Sequence, residues 1–167
     1  MIALHILELR DFMNKFLLSD MFDHFLLQEA VIASDVVWSL DGKLQEGFFS
    51  QEELSEQGLS DFTFLPYGNI RTRCFDLIKG RRTPSSFKFV LLLSPENLSR
   101  TLAKLHSAFS VGDISGMFLN LKFQNGQLIV TSGVSYRIFS MDKSLEHEWD
   151  NLIRQFFKKH QITFLEV

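Results

Sequence analysis

Residues 87–140 read FKFVLLLSPENLSRTLAKLHSAFSVGDISGMFLNLKFQNGQLIVTSGVSYRIFS. Phe87, Phe89, Leu91 and Leu93 alternate with Lys88, Val90 and Leu92. A strand so apolar on both sides belongs in the middle of a sheet. Ser94-Pro95 opens a helix over 95–107: the serine oxygen accepts from an orphan amide, and proline at the first helical position gives up a donor that has no partner. Leu98, Leu102 and Leu105 form its buried stripe. Met117, Leu119, Leu121 and Phe123 then face one way, against Phe118, Asn120 and Lys122. Asn125-Gly126 is a tight hairpin signal, because both central residues of such a turn need positive φ. Gly133 is expected to turn the chain once more, into Tyr136 and Ile138. The predicted strands are 87–93, 117–123, 126–132 and 135–140.

Residues 2–48 can be read in the same order. Ile2, Leu4 and Ile6 open a strand, and Phe12, Met13, Phe16 and Leu17 lie on one side of a helix over 10–18. Strands follow over 24–33 and 35–40, and Asp41-Gly42 takes the place of Asn-Gly before the copy ends near Phe48-Phe49. The expected fold is therefore α+β, a duplicated βαβββ unit in one domain, with a mainly antiparallel sheet covered by helices. Between the copies lies a helical insert, 50–80. Ser50 and Glu53 have capping-box spacing, Gly58 stops that helix, and 59–68 are irregular. Ile70, Cys74, Leu77 and Ile78 recur at helical spacing over 69–79, with Gly80 as the stop. A last helix, 143–160, carries Leu145, Trp149, Leu152, Ile153 and Phe156 on one side, and 162–167 read as a closing strand.

At 167 residues the chain can bury its own core, and 46% hydrophobic content rules out a disordered one. Phenylalanine stands out, at 18 residues against two Tyr and two Trp, which points to a Phe-rich core. A net charge of −3 gives no whole-molecule attraction to nucleic acid or acidic membranes. Cys74 is the only cysteine, so neither an internal disulfide nor a thiolate cluster can form. The opening residues lack a basic leader, and no apolar run reaches membrane-spanning length. The expected location is cytoplasmic, without membrane association.

No catalytic phrase occurs. There is no Gly-x-Ser-x-Gly, and Ser132-Gly-Val-Ser135 reads as a turn between strands. Cys74, on an apolar stripe, reads as a core thiol; a Cys–His pair is the alternative. None of the five histidines sits in a HExxH or His-x-x-x-His pattern. Asp20, Asp23 and His24 fall where a polar turn is expected anyway. Phosphate-binding glycine loops are missing, so no metal or cofactor is expected. One cluster is unusual: Arg71, Arg73, Lys79, Arg81 and Arg82 fall within twelve positions, with Asp76 the only acid among them. The plain reading is a solvated helix end with cations at its C-terminus. The functional reading is an anion patch for phosphate, nucleic acid or an acidic partner.

Over nearly its whole length the chain resembles an uncharacterised family of bacterial proteins from the clostridial group, a family with no assigned activity. The stretches that carry the likeness are Asp11-Phe-Met-Asn-Lys15, Ile78-Lys-Gly-Arg-Arg-Thr-Pro84, Ser94-Pro-Glu-Asn97 and Ser144-Leu-Glu-His-Glu-Trp-Asp150. In element order, residues 2–140 are also similar to one domain of a DNA sliding clamp, which stacks two such units. That likeness implies oligomerisation, since a clamp ring needs more domains than one chain of this length supplies. Together these readings favour a non-catalytic binding or assembly module, touching a protein partner, a second copy or, weakly, nucleic acid through the 71–82 patch. The alternative is a small-molecule-binding protein or an enzyme with a dispersed site.

Overall fold

The computed structural model describes Met1–Val167. The elements run β1 (Ala3–Ile6), α1 (Leu9–Leu18), β2 (Leu26–Ala33), β3 (Val37–Asp41), α2 (Gln51–Glu56) and α3 (Tyr67–Ile78), then β4 (Ser86–Leu92), α4 (Pro95–Lys104), β5 (Ile114–Gln124), β6 (Gln127–Tyr136), α5 (Ser144–Lys159) and β7 (Phe164–Glu166). The seven strands form one sheet in the order β3-β2-β4-β5-β6-β1-β7, and every neighbouring pair is antiparallel. The fold is α+β, as the alternating and helical periods imply.

The hairpin of β5 and β6 follows from local chemistry. Asn125 and Gly126 take φ of +54° and +76°, and the strands pair in register from Gln124↔Gln127 to Met117↔Val134. Met117, Leu119, Leu121 and Phe123 point to one face, where Phe87, Phe89 and Leu91 of β4 and Leu128 and Val130 of β6 join them. On that face Phe16 stacks on Tyr67 at 4.7 Å and meets Phe89 edge-on at 4.9 Å. Phe12, Phe22 and Phe157 complete an aromatic network linking α1, α5 and the chain leading into β2. Such ring pairs contribute about 0.5–1.5 kcal/mol beyond the area they bury. Trp149 of α5 is buried, and its Nε1–H donates to the Phe118 carbonyl at 3.0 Å. The other face carries Glu29, Val31, Lys88, Lys122, Ile129 and His5, exposed or half-buried.

Several expectations need correction. Gly133 does not turn the chain: β6 runs through it to Tyr136, opposite Phe118, and residues 137–140 form no strand. A glycine inside a strand and a glycine at a turn look alike in sequence. Ser132 is accordingly no turn residue but lies buried within β6. Asp41-Gly42 is not the hairpin turn either; the β2–β3 turn is at Ser34–Val36, closed by the Ser34 amide donating to Val36 O. Gly42 is required for another reason. A Cβ there would lie 1.7 Å from the Leu27 carbonyl oxygen. The third strand expected in each unit is therefore missing. What recurs is the order strand-helix-strand-strand, and even that pairs differently. β4 pairs with β5 across its helix, whereas β1 pairs with β6 and β7 rather than with β2.

Candidate functional site

Between β3 and β4 the chain makes a long excursion. Its helix α2 is held by the capping box read from sequence, with Ser50 Oγ accepting from Glu53 N and the Glu53 carboxylate accepting from Ser50 N. It buries no residue, and Phe48 beside it is 77% exposed. The arm is anchored at its base. Leu44 N donates to Thr63 O and Leu65 N to Gly42 O, so the returning segment lies on the β2 side of the arm. The outer edge of β3 is left uncovered.

α3 then returns along the core with Tyr67 and Cys74 inward. The Tyr67 hydroxyl donates to Phe16 O at 2.9 Å. Burial raises the Tyr67 pKa and pushes that of the Cys74 thiol up to about 12. A thiol so held is neutral and not a nucleophile. Arg71 turns away from the patch that the sequence proposed for it. Its Nε and Nη2 bind Asp23 Oδ1 and Oδ2 at 2.8 and 3.2 Å, and this hydrogen-bonded pairing raises the Arg71 pKa. The pair ties α3 to the chain before β2. It also engages Asp23, one of the polar-turn residues beside His24.

The chain after α3 forms a cleft of about 540 Å³, lined by Ser34, Asp35 and Trp38 on one side and by residues 76–83 and Ser85 on the other. Lys79, Arg81 and Arg82 come together here; Arg71 and Arg73 are not in the lining. Lys79 is engaged by Asp76 at 2.9 Å and lies over the Phe75 ring. The Asp35 carboxylate is used within its own turn, accepting from Val36 N and Ser34 Oγ. Arg81 and Arg82 form no ion pair. Their charge is therefore available to an incoming anion. Trp38, 43% exposed on the edge strand, is the residue that sequence reading missed. The one signal for it was a tryptophan in a short strand whose neighbours Val36 and Val37 are also apolar.

A second polar cluster lies under α5. Asp150 is buried, accepts from Ser132 Oγ, and pairs with the Met1 amino group at 3.2 Å; Ile2 N donates to Ser132 Oγ at 3.0 Å. Every group in it has a partner, which makes it a tether between β1, β6 and α5. No group of three or more His, Cys, Asp or Glu side chains is arranged to hold a metal ion. No helix is long and apolar enough to cross a membrane.

The chain belongs to a family of unknown function, DUF5721, whose family model matches residues 15–165. No curated protein and no solved structure matches it.

Proposed function

We propose that this protein is a non-catalytic assembly module that binds an extended acidic polypeptide along the outer edge of β3, with carboxylates held at Arg81 and Arg82. The observation that carries this reading is the position of Trp38. It belongs to an edge strand whose outer side pairs with nothing, and it lines the same cleft as the two arginines that form no ion pair. An edge strand offers a row of backbone donors and acceptors, and adding a peptide strand there uses main-chain bonds for affinity and side-chain pockets for choice. Charge-assisted bonds from guanidinium to carboxylate supply the preference for acid. Arg71 is left out of the site because Asp23 holds it. As part of the same reading the protein works in the cytoplasm, which its single cysteine, buried as a free thiol, supports.

Nucleic acid is the second reading, favoured by the exposure of Trp38, on which a base could stack. Two free arginines are few for a polyanion. Two phosphate contacts to a single strand give a log–log salt slope of only about −1.4. A nucleic acid strand also makes no use of the free β3 backbone.

Fluorescence anisotropy with a labelled glutamate–valine repeat peptide, beside a labelled oligothymidine, tests the assignment. The peptide is expected to bind at low salt, and Arg81→Ala with Arg82→Ala to weaken it by at least tenfold, since each hydrogen bond to a charged group is worth about 1.5–3 kcal/mol. Folding of that variant should be unchanged. If the peptide fails to bind while the oligonucleotide does, with the double variant flattening its salt slope, the strand-binding reading replaces this one. If neither probe binds at low salt, the cluster is a solvated helix end.

A further inference from the structure

We infer that the extended partner is a second copy of this chain, paired antiparallel along β3 about a two-fold axis at Ser39; this rests on the edge-binding reading above. The hydrogen-bond phase of β3 is fixed by its neighbours. Ser34 N donates to Val36 O and Gly42 N to Gln28 O, in one register with Ile32↔Trp38 and Ala30↔Leu40. Bonded pairs alternate along an antiparallel ladder, so the even-numbered residues of β3 bond to β2. Val37, Ser39 and Asp41 thus direct both their amides and carbonyls outward. Three consecutive outward-bonding residues with a serine at the centre are self-complementary. Set antiparallel, Val37 lies opposite Asp41 of the other copy, Ser39 opposite Ser39, and each pair exchanges two backbone bonds. The Asp41 side chain accepts from Lys43 N and ends the ladder there.

Side chains agree with that register. Directly opposed residues share a face, which sets Trp38 against Leu40 of the second copy, and Leu40 is already half-buried against the core. Both copies' Trp38 side chains would gain cover, along with Val36 and Val37, the latter 66% exposed. On the opposite face, Lys43 of one copy would stand beside Asp35 of the other. The chain beyond β3 is acidic: Glu46, Glu52, Glu53, Glu56 and Asp61, with no Lys or Arg over 46–61. Antiparallel pairing carries this arm past the mouth of the other copy's cleft, where Arg81 and Arg82 are unpaired. The cationic and acidic ends of β3 thus match head to tail, twice, and a two-fold arrangement closes without leaving an edge for a third copy. β3 also lacks the usual devices against such pairing, having no Pro, no Lys and no bulge on its outer side.

Sedimentation of the full chain across a concentration series should show a species of twice 19.4 kDa, with Trp38 emission shifting to the blue as it forms. Ser39→Lys places two like charges face to face on the axis while leaving an exposed residue exposed in the monomer. It should raise the dimer dissociation constant at least tenfold with an unchanged melting temperature at low concentration. Ser39→Cys should form an intermolecular disulfide on mild oxidation, because bonded antiparallel pairs hold their Cα atoms about 5.5 Å apart, within disulfide reach. Wild type, whose Cys74 is buried, should not crosslink. A chain that stays monomeric at all concentrations, with Ser39→Cys uncrosslinked, overturns self-pairing. If the acidic repeat peptide still binds that monomer through Arg81 and Arg82, the edge-binding reading stands without it. A dimer indifferent to Ser39→Lys uses another surface and overturns the proposal equally.

Discussion

The two edges of the sheet are finished in opposite ways. At one end β7 is three residues long, Glu166 is gripped by Arg154 through both oxygens, and Val167 N donates to Ala3 O. Behind it α5 lies along β6, with Trp149, Ile153 and Phe157 buried. At the other end β3 presents Val37, Trp38 and Ser39 to solvent with nothing beyond them, and the arm that follows contributes a helix with no buried residue. A short strand tied down by an ion pair is a guarded edge; an apolar strand without lysine or proline is an open one. The contrast within one sheet locates the surface available for association.

The largest effect should come from the guarded side. Trp149→Ala removes a buried indole together with the bond it donates to Phe118 O, and should cost about 3–5 kcal/mol, read as a lower thermal midpoint. A midpoint within a degree of wild type would mean that α5 does not hold this side. On the open side, Gly42→Ala should cost about 1–3 kcal/mol, since its new methyl can be accommodated only by moving the arm from Leu27. Amide exchange should then quicken in 42–66 while β6 and β7 stay protected; equal loosening of both edges would erase the distinction.

A smaller effect is expected in alkali. The buried Cys74 thiol holds its proton up to about 12, above its ordinary value of 9.0, so the folded chain keeps a proton that the unfolded chain releases. Stability from this group is complete below pH 9 and declines as pH rises towards 12. Cys74→Ala should lessen that decline in a series of melts against pH; identical slopes would show that Cys74 ionises freely in the folded state. The smallest effect concerns the ion pair at β7. Arg154 holds the Glu166 carboxyl below its usual range, so the pairing is complete above the ordinary carboxylate pKa and is lost as pH falls through the lowered one. Arg154→Ala should return Glu166 to the usual range in an NMR titration and speed amide exchange in β7 alone.

What was legible in the sequence was local. Asn125-Gly126 between alternating runs defines its hairpin because both glycine-like φ values and both strands lie within a few residues of it. Ser50 with Glu53, and Ser94 with Pro95, marked helix starts for the same reason. The errors came where a residue's reason lies far along the chain. Gly42 is a glycine because of Leu27 O, not because of a turn. Gly133 continues a strand because Phe118 of β5, fifteen positions earlier, pairs with it. Arg71 counted towards a basic patch until Asp23, 48 positions earlier, took its charge. Of the candidate site, the sequence offered Lys79, Arg81 and Arg82 as near neighbours. It could not place Trp38 against them, because only the β2–β4 pairing brings the β2–β3 turn beside the end of α3.

The position of β1 bears on how the molecule comes together during synthesis. Its two partners are residues 129–131 of β6 and 164–166 of β7. During synthesis β1 therefore waits until residues 129–131 have followed it before either side of it can pair. Leu4 and Ile6, among the best-buried residues of the finished protein, spend that interval uncovered. Long-range pairing of this kind slows folding and leaves apolar segments open to aggregation meanwhile. The β5–β6 hairpin, joined by a two-residue turn, can form as soon as it emerges and offers β1 the template on which to close.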